Sequence, residues 1–247
     1  MANAPAAPFI RAVSLRTEPA DYTAGIAAVR ALAKEALELH PHVTFFVGEN
    51  GSGKSTLVEA IAVAAHLNPE GGSTRLRFKT RASHSALHAQ LRLDWAPLRP
   101  QNAFFLRAES VFGFATEVEG GSPVAALENV YERPLHEQSH GESFLDIVLH
   151  RFGPRGLYIL DEPEAALSVA GQLALMRRMH ELVRGHSQFV VATHSPILVG
   201  YPDAVIFRLS EEGIEQVEYD DVEQVELTRS FVEDRRRFLR HLLADDD

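Results

Sequence analysis

Short apolar runs alternate with longer helical ones along the chain. Val43-Thr44-Phe45-Phe46-Val47 is a continuous apolar run of strand length, and Leu57–Val63 continues with helical periodicity to about His66. Before it, residues 9–16 have the character of an edge strand, and the Ala/Leu-rich residues 23–39 repeat at helical spacing. Asn68-Pro69-Glu70-Gly71-Gly72 is a turn cluster. Residues 74–107 are strand-rich, with Asn102–Ala108 as a strand candidate. Residues 111–140 contain Gly120, Gly121, Pro123 and Pro134 and predict loops with one short helix near 124–131. From Glu142 the pattern becomes regular. It predicts a helix over Ser143–Phe152, a buried strand over Gly156–Leu160 and a helix from Gly171 ended by Gly185. Strands follow over Ser187–Thr193 and Asp203–Leu209. Residues 228–243 carry Phe231, Val232, Phe238, Leu239 and Leu242 on one helix face, ahead of an acidic tail. Strands alternating with helices predict an α/β fold with a mostly parallel core sheet flanked by helices. An antiparallel β-rich part and a small loop/helix subdomain complete it.

The loop between the first apolar strand and its helix carries the clearest chemistry. Gly48-Glu49-Asn50-Gly51-Ser52-Gly53-Lys54-Ser55-Thr56 is a P-loop in the strand–glycine loop–helix context that this motif requires. Its glycines let backbone N–H groups turn inward around a phosphate, and the helix that follows points its positive end at the same anion. Lys54 is expected to reach the β/γ-phosphates of a nucleotide, and the Ser55 hydroxyl to hold Mg²⁺. The chain is then one P-loop NTPase domain over 1–247. Its parts are a P-loop unit (43–67), the β-rich part (about 70–110), the small subdomain (about 111–141), a second core lobe (142–210) and a C-terminal extension (211–247).

A second site element ends the strand Leu157–Leu160, where Asp161 and Glu162 follow four apolar residues. At the C-terminal edge of a parallel sheet these carboxylates lie beside the phosphates. Asp161 suits holding Mg²⁺ through a water, and Glu162 suits polarisation of the attacking water as general base.

GENGSGKST, YILDEPE and the Thr193-His194-Ser195 that ends the next strand together resemble the ABC-type ATPase superfamily. Within it, the motifs are most similar to small stand-alone bacterial ATPases of the AAA family (AAA_21-like). The resemblance covers about residues 43–200. It implies a signature segment before the second carboxylate motif, and Gln138-Ser139-His140-Gly141-Glu142 stands there, nineteen residues separating Glu142 from Asp161. By resemblance, Ser139 and Gly141 touch the γ-phosphate of ATP bound to a second subunit. His140 replaces a glycine of the usual signature and Glu142 its glutamine. A plain helix N-cap by Ser139 is the other reading. Ala166, Leu167 and Ser168 match the D-loop, with Ser168 where aspartate is usual. His194, thirty-three residues after Asp161, matches the switch histidine, a donor for developing γ-phosphate charge. The Q-loop falls near Glu109, which is equally an ordinary surface acid, and Gln101 fits less well. Tyr22, twenty-six residues before Gly48, has the spacing of an adenine-stacking aromatic but begins a helix. The implied cofactors are ATP and Mg²⁺. The implied assembly is a homodimer that sandwiches two nucleotides.

Charge and composition refine the choice of partner. The net charge is −10, yet residues 75–107 carry seven basic residues and one acid. Arg75, Arg77, Lys79 and Arg81 alternate, which places them on one face of a strand. That face reads either as a DNA-phosphate contact, as in an SMC- or RecF-like protein, or as a charged edge that resists strand pairing. Other readings are the nucleotide-binding subunit of a membrane transporter, with a further protein as partner, and a phosphotransferase. With 0 cysteines, no thiolate or disulfide chemistry is available. No basic leader with a long apolar run opens the chain, and no uncharged stretch reaches the ~18–20 residues of a membrane helix. A cytoplasmic protein without direct membrane insertion is expected.

Overall fold

The computed structural model describes residues 9–17, 22–69, 72–73, 86–111 and 138–244. The basic strand face Arg75–Arg81 and most of the small subdomain lie outside the described residues. The continuous apolar runs form the centre of the sheet. Val43–Gly48 (β3), Asn102–Arg107 (β6), Gly156–Asp161 (β7), Gln188–Ala192 (β8) and Val205–Ser210 (β9) pair in parallel in the order β9-β3-β8-β7-β6. Every residue of β3, β7 and β8 is buried, because helices cover both faces of a parallel sheet. Antiparallel strands close the two edges: Gly213–Val217 (β10) beside β9, and Gly72–Ser73 (β4) beside β6.

The expected β-rich part over 70–110 divides differently. Asn102–Arg107 belongs to the core sheet, in register with β7 up to Arg107 opposite Asp161. Its Phe104-Phe105-Leu106 run is buried on both faces, the mark of a central strand rather than of a half-exposed antiparallel one. The separate antiparallel sheet is built from Ile10–Leu15 (β1), Leu37–Glu38 (β2) and Leu91–Trp95 (β5), in the order β2-β1-β5. The helix expected over 23–39 is likewise shorter. A 3-10 turn at Tyr22–Gly25 leads into α1 (Ala27–Lys34), and Glu35 is extended at φ −148°. Pairing of Leu37–Glu38 with β1 outweighs the helical preference of the segment.

Adjacent residues of each strand enter opposite cores. Phe45, Tyr158 and Phe189 pack under His140–Arg151 (α4) and Val169–Arg184 (α5), with Phe144, Ile147, Leu175 and Met179. Phe46, Ile159 and Val190 pack on the other face, under Lys54–Ala64 (α2) and the small sheet. A four-residue helix, Leu87–Gln90 (α3), leads into β5.

Gln188 and Tyr158 place polar groups deep in this apolar body. Gln188 accepts at Oε1 from the Phe9 and Ile10 N–H groups (3.0 and 2.9 Å) and donates from Nε2 to the Ile10 and His40 carbonyls (2.9 and 3.0 Å). One amide thus joins the small sheet to the core sheet. Tyr158 stacks on Phe152 at 4.0 Å, and its hydroxyl donates to the Gly153 carbonyl (2.6 Å) and accepts from the Gly153 N–H (2.7 Å). Burial pushes its pKa up to about 12.

The C-terminal segment is two helices rather than one. Glu223–Glu233 (α6) ends at Asp234, whose side chain caps Arg235–Leu242 (α7) by accepting from the Arg237 N–H at 3.0 Å. Among the described residues, no helix is long and apolar enough to cross a membrane.

Candidate functional site

The P-loop follows β3, and its backbone dictates its glycines. Gly48, Gly51 and Gly53 have φ of +139°, +84° and +95°, the region in which side chains are strained. At Gly48 a Cβ would also lie 2.2 Å from the Leu209 carbonyl oxygen. No side chain caps α2 at Gly53, so the first turn of that helix is left to serve an anion. Lys54 is buried, and Nζ donates to the Gly48 and Glu49 carbonyls (3.0 and 2.7 Å). Burial lowers its pKa, opposed by the charges of Glu162, Asp161 and Glu164. Glu49, Asn50, Gly51 and Ser52 line a cavity of about 880 Å³ that reaches Gly25, Arg30 and the β9–β10 turn. The buried Ser52 Oγ has no hydrogen-bond partner.

The carboxylates arrive from the end of β7. Asp161 is 3 % exposed and Glu162, the next residue, turns back with φ +49° and ψ +51°. A glutamate in this left-handed conformation is strained, and the Glu162 N–H bond to the Ala192 carbonyl (2.9 Å) helps to hold it there. Ser55, Arg107, Ala108, Glu109, Asp161, Glu162 and Ala165 line one cavity of about 240 Å³. Burial raises the pKa of Asp161, while Arg107 and the Ser55 hydroxyl draw it back down. Arg107 Nε donates to Asp161 Oδ2 at 2.9 Å, whereas the buried Oδ1 has no hydrogen-bond partner. An orphaned carboxylate oxygen beside a serine hydroxyl fits a hard cation such as Mg²⁺. Among the described residues no cluster of three His, Cys, Asp or Glu could hold a metal alone. Such a cation would therefore share Asp161 and Ser55 with substrate phosphates.

His194 lies beyond β8, with Nε2 3.6 Å from Glu162 Oε1. This Nε2 is buried and has no hydrogen-bond partner. Glu164 sets the loop: one carboxylate oxygen accepts from the Thr193 hydroxyl (2.7 Å), the other from the His194 N–H (2.5 Å). Ser195 fixes the next turn, donating to Gln172 Oε1 at 2.6 Å.

Ser139 is the N-cap of α4 in a capping box. The Glu142 N–H donates to Ser139 Oγ at 3.4 Å, and Glu142 Oε2 accepts from the Ser139 N–H and hydroxyl at 2.9 and 2.7 Å. The segment His140-Gly141-Glu142 is thus the first turn of the helix, not a loop ahead of it. Gly141 lies against the D-loop position, since a Cβ there would meet the Ala166 carbonyl oxygen at 2.9 Å. Leu167 is in the core, and Ser168 caps α5 by accepting from the Gly171 N–H at 3.2 Å. Glu109 sits in a 3-10 turn directly after β6. Gln101 is at the opposite end of that strand, its N–H bonded to the Arg155 carbonyl. Tyr22 opens a 3-10 turn; its side chain lies outside the described residues.

Sequence reasoning gave Arg107, Glu59 and Glu164 no part in this site. Glu59 could have been found, since it follows Ser55 by one helical turn and so shares its face of α2. Arg107 becomes visible only once β6 is placed beside β7.

The family model described as "AAA domain" matches residues 25–89. The cytochrome c biogenesis ATP-binding export protein CcmA of Rhodopseudomonas palustris (strain HaA2) is 30% identical over 157 residues, which are 61% of this chain and 77% of that protein. The zinc import ATP-binding protein ZnuC of Vibrio vulnificus (strain YJ016) is 30% identical over 142 residues, 57% of this chain and 52% of that protein. Among solved structures, cbiO1 from Clostridium perfringens, part of the ABC transporter complex cbiONQ, is 19% identical with a TM-score of 0.49, covering 96% of this chain and 100% of that one.

Proposed function

The chain belongs to the ABC-type ATPases of the P-loop class, and from that premise we propose that it hydrolyses ATP to ADP and phosphate with Mg²⁺. The observation that carries this reading is convergence. Lys54 and Ser55, Asp161 and Glu162, and His194 come to one edge of the sheet from the ends of β3, β7 and β8.

The geometry supports the following roles. The P-loop N–H groups and Lys54 bind the phosphates, with Nζ exchanging two loop carbonyls for phosphate oxygens. Ser55 and Asp161 Oδ1 are the ligands this chain offers to Mg²⁺, which when bound neutralises charge on the β- and γ-phosphates. Glu162 orients the attacking water and takes its proton. His194, oriented by Glu164 through its own backbone N–H, offers Nε2 to charge developing on the γ-phosphate. We further propose that two chains close over two nucleotides, with the Ser139–Glu142 turn of each facing the γ-phosphate on the other.

Steady-state phosphate release with MgATP tests this. Wild type is expected to turn over, Glu162→Gln to retain ATP without turnover and run as a dimer, and Lys54→Ala to lose nucleotide binding. Turnover in Glu162→Gln equal to wild type would remove the base assignment. A monomeric Glu162→Gln with MgATP would remove the sandwich. Adding duplex DNA checks the contribution of Arg75, Arg77, Lys79 and Arg81, where stimulation would favour a DNA-associated role.

The names of the relatives favour a second reading, in which the chain is the nucleotide-binding subunit of a membrane transporter. Co-purification with an integral membrane protein, lost on mild detergent stripping, is its test.

A further inference from the structure

Arg107 makes a bridge that no motif accounts for. Its Nε donates to Asp161 Oδ2 at 2.9 Å, and the second arm of the fork, NH2, donates to Glu59 Oε2 at 2.8 Å. The three side chains come from three elements: the end of β6, the end of β7 and the P-loop helix α2. They are well enclosed, with side-chain exposures of 22 % for Arg107, 15 % for Glu59 and 4 % for Asp161. The guanidinium also lies over the Phe105 ring, 5.5 Å from its centroid, and lines the same cavity as Ser55 and Glu162.

A cation beside a metal site ordinarily opposes metal binding, so the arrangement needs a physical reason. Two features supply it. Glu59 balances the guanidinium charge, so the bridge acts as an orienting hydrogen-bond donor rather than as a competing cation. The fork also takes one oxygen of Asp161 and leaves the other, Oδ1, buried and without a partner. Without the fork, nothing on the β6 side among the described residues would hold Asp161 in this orientation.

We propose that Arg107 is a positioning residue for the metal: it locks Asp161 so that Oδ1 alone faces the cation, and ties that carboxylate through Glu59 to the helix that carries Ser55. The proposal rests on the ATPase reading and assigns Arg107 no contact with the reacting atoms. Its basis is the fixed, two-armed geometry of arginine, which lysine lacks.

The test measures metal and nucleotide binding separately, in wild type, Arg107→Lys and Glu59→Gln. Mn²⁺ binding to the ATP complex is followed by electron paramagnetic resonance, and ATP binding in EDTA by calorimetry. Both variants are expected to bind Mn²⁺ about tenfold more weakly, the low end of what loss of a metal ligand's hydrogen-bond partner does. ATP affinity in EDTA is expected to stay within about twofold of wild type. Mn²⁺ affinity unchanged or tighter in Arg107→Lys would overturn the proposal, since the fork would then be dispensable or a competitor of the metal. An equal loss of ATP affinity with and without metal in both variants would also overturn it, because the bridge would then serve the P-loop fold. Wild type that binds no ATP in EDTA or with Mn²⁺ would instead sink the ATPase reading, a result distinct from both.

Discussion

The residues of the site differ in how much of their role can be seen locally. Lys54 and its glycines are legible in sequence because the conformation and the chemistry are both written into nine consecutive positions. Tyr158 shows the opposite. Nothing in Gly156-Leu157-Tyr158-Ile159-Leu160 announces that its hydroxyl exchanges two hydrogen bonds with Gly153, yet this environment has a measurable signature. With a pKa pushed to about 12 against 10.0 in an open chain, the folded state resists ionisation that the unfolded state accepts. The contribution is therefore complete below pH 10 and is lost as pH rises toward 12. It amounts to about 3 kcal/mol at most. Thermal midpoints measured from pH 9 to 12 are expected to fall less steeply in Tyr158→Phe than in wild type; parallel slopes would show that Tyr158 does not titrate with unfolding. The role of Glu164 is not legible in its own motif, because it acts on backbone and hydroxyl donors twenty-nine and thirty positions away.

At the scale of elements, the strands were the legible part. A buried parallel strand needs apolar residues on both faces, and β3, β7, β8 and β9 carry that mark within a residue or two of their ends. Phe104-Phe105-Leu106 carries it as well. Its place between residues 70 and 110 predicts an antiparallel strand, but the two-sided apolar pattern fits the central position it takes beside β7. The break at Asp234 is hidden in the sequence, because the apolar spacing continues across it and a capping aspartate shows only as one acid in a charged run. The start of α4 permits a sharper prediction. Glu142 and Ser139 close a capping box with a carboxylate at the positive end of the helix, where an incoming phosphate would compete with it. Glu142→Gln keeps the box and removes the charge. It is expected to lower stability by less than about 1 kcal/mol. ATP-dependent dimerisation of the Glu162→Gln background should become several-fold tighter, as read by light scattering after gel filtration. No change in dimerisation would leave Ser139 and Glu142 as a helix cap and nothing more.

For the whole molecule, the open question is how two sheets behave as one body. Gln188→Leu keeps the volume of the side chain but leaves the Phe9 and Ile10 N–H groups and the Ile10 and His40 carbonyls without this partner. A loss of roughly 3–5 kcal/mol is expected, from several buried groups at about 1–3 kcal/mol each. Amides of β1 should then exchange with solvent faster than those of β8, whereas in wild type the two should open together. Equal exchange in the variant would mean that apolar packing alone joins the sheets. The location of Gln188 gives this joint a mechanical meaning. It is the first residue of β8, and Thr193 and His194 directly follow the strand's last residue, Ala192. The small sheet is thereby linked through the five residues of β8 to the loop that holds His194 beside Glu162. β8 is thus a tie rod, held at one end by the Gln188 amide and leading at the other into the loop that carries His194.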